Sequence, residues 1–390
     1  QIGGDRFLYL PSSYGAASYS GVNKYNFGLA SNPYTSLMIV ENKIGNPDLT
    51  WEKAKKMNVG VDINLFNNCL TASFDIFKEK RNNILANRST SPMIIGANLP
   101  AYNFGEMENR GWEMDLNFRH HIQDFHYWAR FNYSFARNEI IYMDEVQKRY
   151  DYQMTTGRRK NQFFGLIFDG YYNSWEEINA LDRPKSSWSG NQLQPGDVKY
   201  VDVNQDGVID DYDMVPIGYT PVPEIIYGFS FGAQYKGFDF SILFQGADNV
   251  SIKYFGRSMW PFAKGEESAK SLIKERWTQE RYEAGEKITF PRLSLNPNGE
   301  TDHNYRPSTL WIRDASYLRL KNLEVGYTFT GGFVKRLNLN SVRLYFNGSN
   351  LFTWTDVVDL DPEAPSRSGN VEINTYPLQK VYNIGLNINF

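Results

Sequence analysis

The feature that most constrains this chain is a strict two-residue alternation of apolar and polar side chains. In the closing segment, Tyr382, Ile384, Leu386, Ile388 and Phe390 fall on one face of an extended strand, and Asn383, Gly385, Asn387 and Asn389 on the other. One such strand fits a soluble sandwich edge as well as a sheet between lipid and water. Recurrence separates the two. Met57, Val59, Val61, Ile63 and Leu65 alternate with Asn58, Gly60, Asp62 and Asn64, and after Asn67-Asn68 the pattern returns through Leu70, Ala72, Phe74 and Ile76. It reappears at Trp112–Phe118, Tyr127–Phe135, Ile225–Tyr235, Phe238–Phe244, Leu318–Phe329 and Val342–Phe346. Leu318 and Leu320 are out of phase with Leu323, Val325, Tyr327 and Phe329, which predicts a β-bulge around Lys321-Asn322.

The pattern predicts about nine strands, each near the length of about ten residues that a tilted strand needs to cross a bilayer. Their connections alternate between short and long. Short turns fall at Asn67-Asn68, His120–Asp124, Lys236-Gly237 and Gly331–Leu339; large outer loops span about 139–223 and 248–314. With the chain ending on the periplasmic side, every short turn lies in the periplasm and every long loop outside. The expected fold is all-β: part of an antiparallel transmembrane β-barrel over 54–390, preceded over 1–53 by a partial strand and an extracellular loop. Within that first part only Phe7–Leu10 resembles a strand end, and Ser12–Asn46 reads as a long surface loop. The best helical pattern is amphipathic, Glu266–Tyr282, with Ala269, Leu272, Ile273 and Trp277 on one face.

Composition agrees with a barrel. Aromatic residues make up 16% of the chain while mean hydropathy is −0.52, as expected when apolar residues are hidden in alternation beside long polar loops. No run approaches the roughly 18 apolar residues of a membrane helix. The net charge of −3, with Lys and Arg scattered, argues against a nucleic-acid surface. Cys69 stands alone, so an internal disulfide is excluded, and its strand-like surroundings favour an apolar filler over a nucleophile. The residues after Gln1 carry no signal-peptide pattern, so the chain reads as a mature or truncated product.

The sharpest local motif is Asp202–Asp213. Asp202, Asn204, Asp206, the Val208 carbonyl, Asp210 (through a water) and Asp213 occupy the oxygen-ligand positions of a calcium loop, with Gly207 at the sharp turn. Asp213 stands where a longer Glu is usual, and no helices flank the loop. The plainer alternative is an acidic solvated turn. Catalytic signatures are missing, and inward-facing Asp62, Glu113, Asp115 and Arg119 read as a wet polar wall rather than an acid/base pair. Trp188, Trp260, Trp311 and Trp354 could stack on sugars or form an interfacial girdle; the girdle is favoured for Trp354.

Several segments together resemble the SusC/RagA-type TonB-dependent transporters of Bacteroidota. They are Gly45–Lys53 running into Asn58–Asp62, Asn109–Glu113, Pro195–Tyr200 leading into the acidic loop, Gln245-Gly246, Ile312–Leu320, Asn350–Phe352 and the terminal strand. The resemblance implies an outer-membrane barrel of about 22 strands with an N-terminal plug. It further implies TonB as energy source and a SusD-like surface lipoprotein as lid, importing oligosaccharides or peptides. No position matches the plug or the TonB box, so the chain is expected to be the C-terminal part of such a barrel, truncated or supplied as a separate piece. A passive porin-like wall and a soluble β-rich glycan-binding surface protein are the alternatives. The second would leave Tyr227, Phe229, Phe231, Phe238, Phe240 and Phe244 facing water.

Overall fold

The computed structural model describes residues 45–390 apart from 91–98, 189–192, 255–259, 263–270, 296–301, 359, 364–369 and 372–377; before 45 it describes Tyr9, Gly28 and four short strands. Backbone polar groups inside a bilayer must bond to one another, and alternating sequences achieve this as a continuous antiparallel sheet. The sheet here has nine strands. They are β1 (Lys53–Leu65), β2 (Leu70–Ala86), β3 (Tyr102–Ile122), β4 (Phe125–Tyr142), β5 (Ile225–Tyr235), β6 (Phe238–Asp248), β7 (Tyr317–Phe329), β8 (Ser341–Thr355) and β9 (Val381–Asn389). Each pairs with its neighbour in sequence, and the sheet stays open between β1 and β9.

Register converts the alternation into two continuous faces. One row of paired residues crosses all nine strands as Leu65, Leu70, Phe118, Ala129, Phe231, Ile242, Leu323, Gly348 and Tyr382. The neighbouring row on the opposite face runs Asn64, Thr71, Asn117, Arg130, Ser230, Leu243, Asn322, Ser349 and Val381. The predicted bulge is present: Leu320 pairs with Phe352 and Asn322 with Ser349, leaving Lys321 opposite Asn350-Leu351. Asn350 takes the left-handed conformation there, φ 53°.

Several expectations need correction. β2, β3 and β4 run to 17, 21 and 18 residues, well beyond the expected ten. Their long-loop ends carry charge on both faces and join in ion pairs, Lys78–Glu108 at 2.8 Å and Lys80–Glu106 at 2.9 Å. Those ends therefore project past the hydrocarbon. Ser12–Asn46 is not a plain loop: Ser13–Ala16 pairs with Ile39–Lys43, enclosing a ribbon of Lys24–Phe27 on Tyr34–Leu37. Of the expected strand end Phe7–Leu10, all but Tyr9 lies outside the described residues. The amphipathic helix is also replaced. Among the described residues its region forms a 3-10 turn, Ser271–Glu275, and a short α-helix, Gln279–Glu283; Ala269 and the side chain of Leu272 fall outside them. Arg276 pairs in extended fashion with Phe290 between the two turns, which turns Trp277 into the core. Cys69 lies in the turn ahead of β2, half-buried, with Sγ 3.6 Å from His120 Nδ1.

Candidate functional site: the polar wall and the outer-loop cap

On the inward face of β2–β4, Ser73, Asp75, Glu113, Asp115, Asn132 and Ser134 line a shallow cleft of about 320 Å³. Strand pairing brings Glu113 beside Asp75 and Ser134, and Asp115 beside Ser73 and Asn132. Asp62 pairs with Ser73 and Arg119 with Trp128 on the same face. These groups form a polar wall spread over several strands, in which the Ser134 hydroxyl donates to Glu113 Oε1 at 3.4 Å. Further along, Arg343 donates to Asp239 Oδ1 through Nε at 3.0 Å and to Glu324 at 2.6 Å, and Asn347 donates to the other oxygen of Glu324.

The hydrophobic core lies elsewhere, in a cap built from the long loops. Leu166, Tyr171, Val198, Tyr200, Ile209, Val250, Ile252, Tyr254, Trp277, Phe290, Tyr305 and Trp311 pack together there. A sheet that gives its apolar face to lipid has no interior of its own, so side-chain burial accrues in the loops. Pro195–Tyr200 frames this cap. Gly196 sits at φ 93°, and a Cβ there would lie 2.4 Å from the Trp277 ring, so only glycine lets the indole close over the turn. Asp197 accepts from Asn304 Nδ2 at 2.8 Å and pairs with Arg292 at 2.6 Å. Asn304 Oδ1 accepts from the Val198 N–H at 2.9 Å, and Trp311 Nε1 donates to the Asn304 carbonyl at 2.8 Å. His303 Nε2 bonds the Val198 carbonyl at 2.8 Å, and its Nδ1 lies 2.9 Å from Ser186 Oγ. Because a carbonyl only accepts, the proton sits on Nε2 and Nδ1 accepts from the serine. Burial pushes the His303 pKa below its ordinary value, against the opposing pull of the Val198 carbonyl, Asp197 and Asp302.

The tryptophans resolve differently. Trp311 is 2% exposed inside the cap, so it is neither a sugar platform nor a girdle residue. Trp188 and Trp260 pack against the same core, Trp188 beneath Arg306 at 4.1 Å. Trp354 is exposed on the outward row opposite Leu318, the position expected of a girdle residue.

The Asp202–Asp213 loop folds back on its own backbone. Asp202 Oδ2 accepts from the Gly207 N–H at 2.8 Å, Asn204 Oδ1 from Asp206 at 3.0 Å, and Asp206 Oδ1 from Val208 at 2.9 Å. Fully buried Asp213 accepts from Val203 at 2.8 Å and Asp210 at 2.9 Å. Burial raises the Asp213 pKa despite these donors. Asp202 Oδ1 is buried with no hydrogen-bond partner. Among the described residues no three His, Cys, Asp or Glu side chains converge as a metal cluster; the loop's donor set also draws on Asn204 and the Val208 carbonyl. Val208-Ile209 pairs in parallel with Lys185-Ser186, which fastens the loop to the serine bonded to His303. That buried His303–Asn304–Asp197 frame escapes a sequence reading, since His303 is an isolated histidine in an aperiodic loop.

An open, two-faced antiparallel sheet with neighbouring strands in sequence order and a folded cap over its long-loop end defines a segment of a transmembrane β-barrel. The family described as "TonB dependent receptor-like, beta-barrel" matches residues 10–351, and the chain belongs to it. TonB-dependent receptor P26 of Formosa agariphila is 27% identical over 98% of this chain and 40% of its own length. TonB-dependent receptor SusC of Bacteroides thetaiotaomicron is 26% identical over 99% of this chain and 36% of its own. The chain thus spans about two-fifths of the length of these relatives. The solved structure of the RagAB peptide transporter shares the fold, with a TM-score of 0.68 at 23% identity over 98% of this chain and 38% of that one.

Proposed function

We propose that this chain forms the later barrel wall and outer cap of an outer-membrane transporter that imports oligomeric nutrients, glycans or peptides, using energy delivered by TonB. The observation that carries the reading is the continuous inward polar face, backed across all nine strands by an outward apolar one. Such a wall lets a hydrated oligomer pass while the protein stays in lipid. The cap supplies a rigid surface at the outer mouth, where a SusD-like lipoprotein would close over captured substrate. SusC and the RagAB peptide transporter among its similar proteins support this choice. The test is uptake of fluorescent oligopeptides and oligosaccharides by cells carrying the intact protein, before and after TonB depletion. Uptake that stops on depletion supports active import, and uptake that persists would mean a passive porin-like channel.

Within the cap, we read Asp202, Asn204, Asp206, the Val208 carbonyl, Asp210 and Asp213 as a structural calcium clip. The unpartnered Asp202 Oδ1 and the desolvated Asp213 carboxyl are the features that a divalent cation would satisfy. Calcium should release heat on titration into the purified protein and protect the 202–213 backbone from hydrogen exchange. Asp202→Ala should abolish both. Equal protection with calcium or chelator would leave only an acidic turn.

A further inference from the structure

The outward face ends, on the short-turn side, in a groove of about 510 Å³ between the Lys236-Gly237 turn and the helical turn Phe333–Arg336. Its floor is Tyr327 and Phe329 of β7, both on the outward register opposite Leu344 and Val342 of β8. Phe238 packs against Tyr327 with ring centres 4.4 Å apart and planes tilted by 60°, and Tyr327 meets Phe329 edge-on at 4.6 Å, making a continuous aromatic wall. The helical turn is pinned by Val334, 1% exposed, while Phe333 and Leu337, four residues apart and so on one side, are 72% and 54% exposed. Lys236 lines the groove, and exposed Lys335 and Arg336 continue the helical turn directly after Phe333 and Val334. None joins an ion pair among the described residues. Asp239, the acid closest along the chain, is bound to Arg343.

The slot is floored by aromatic rings, with Lys236 at its edge over the Tyr235 ring and two further cations in the adjoining turn. At a hydrocarbon boundary it matches an amphiphile with a negative head and hydrocarbon tails. We propose that this groove binds one anionic phospholipid of the periplasmic leaflet. An acyl chain lies along Phe238, Tyr327 and Phe333, and the phosphate is held by Lys236, Lys335 and Arg336. The site differs from ordinary lipid contact in having a wall on two sides and a charge requirement. It rests on the lipid-facing assignment of the outward row, and its test separates the two.

The full chain in detergent micelles is mixed with equal phosphatidylglycerol and phosphatidylcholine, and retained lipid is counted by native mass spectrometry. The expected result is one phosphatidylglycerol per chain, preferred about fivefold, with the preference lost in the K236Q/K335Q/R336Q variant. Phe333→Ala should lower retention of both lipids and leave the headgroup preference in place. A triple variant that keeps the preference, or an unmodified chain without one, overturns the proposal. Membrane fractionation of the same proteins reports the lipid-facing assignment independently: an unmodified chain outside the membrane fraction would overturn that assignment, and the lipid site with it.

Discussion

Arg319 shows what a single side chain does here. It lies on the inward face of β7 with 2% of its side chain exposed, 2.6 Å from Asp361 and 2.9 Å from Glu363. Lys321, displaced by the bulge, reaches Glu363 at 3.0 Å. These bonds draw the segment after β8 onto the barrel wall, and Tyr254 of the cap also holds Val358. Arg319→Ala leaves the largely buried Asp361 carboxylate without its cation while Glu363 keeps Lys321, at a cost of about 3–5 kcal/mol. Hydrogen exchange of Val357–Glu363 should rise by orders of magnitude while the strands stay protected; unchanged exchange would mean that the segment is held by other contacts. His303 gives the cap a pH dependence. Its folded pKa lies below the unfolded value near 6.5, so the unfolded chain binds the proton more readily. Cap stability is therefore full above that value and falls as the pH drops through it. Glu224, just ahead of β5, is bonded to Arg137 at 2.8 Å and to Arg159. There, and at Asp361 beside Arg319, burial opposes but the arginines prevail and lower the pKa, so their contributions persist until more acidic pH. Limited proteolysis of the cap should accelerate between about pH 7 and 5, and His303→Gln should flatten that slope.

At the scale of elements, the strands are fitted to one another by glycines facing aromatic rings. Gly232 pairs with Trp128, Gly246 with Tyr227 and Gly385 with Tyr345. A Cβ at these glycines would sit 2.4, 2.3 and 2.2 Å from the opposing ring. The ring lies across its partner strand, covering backbone that a side chain would otherwise occupy. Gly232→Val should therefore destabilise the β4–β5 pairing by about 1–3 kcal/mol. The gel-migration transition of the heated barrel should move to lower temperature, and adding Trp128→Ala should restore it. If the double variant is no better than the single one, the ring is not what the glycine accommodates. These pairs are half legible in sequence: the alternation places each glycine on a face, but only register decides which aromatic stands opposite.

For the whole molecule, the open sheet leaves β1 and β9 without a neighbour on one side, and every residue of β1 is exposed. Unpaired edges of this length recruit other strands. The chain produced alone in detergent should associate through them, and light scattering should report oligomers that disperse when edge-pairing strands are supplied in trans. A stable monomer would show that the edges are protected by another route.

The sequence by itself determined the nine strands, their two faces, the bulge at Lys321 and the alternation of short turns with long loops. Each of these follows from a repeat of two residues and from turn chemistry, which are local properties of the chain. Tertiary structure decided the cap. Asp197 meets Asn304 across 107 residues of sequence, and Tyr254 meets Val358 across 104. Contacts between aperiodic segments so far apart leave no pattern along the chain. Trp277 shows the consequence: its helical spacing suggested one amphipathic face, yet burial against Gly196 and Phe290 drew it into extended backbone. Lipid takes the apolar face of the sheet, so the protein's own packed interior had to form where periodicity ends.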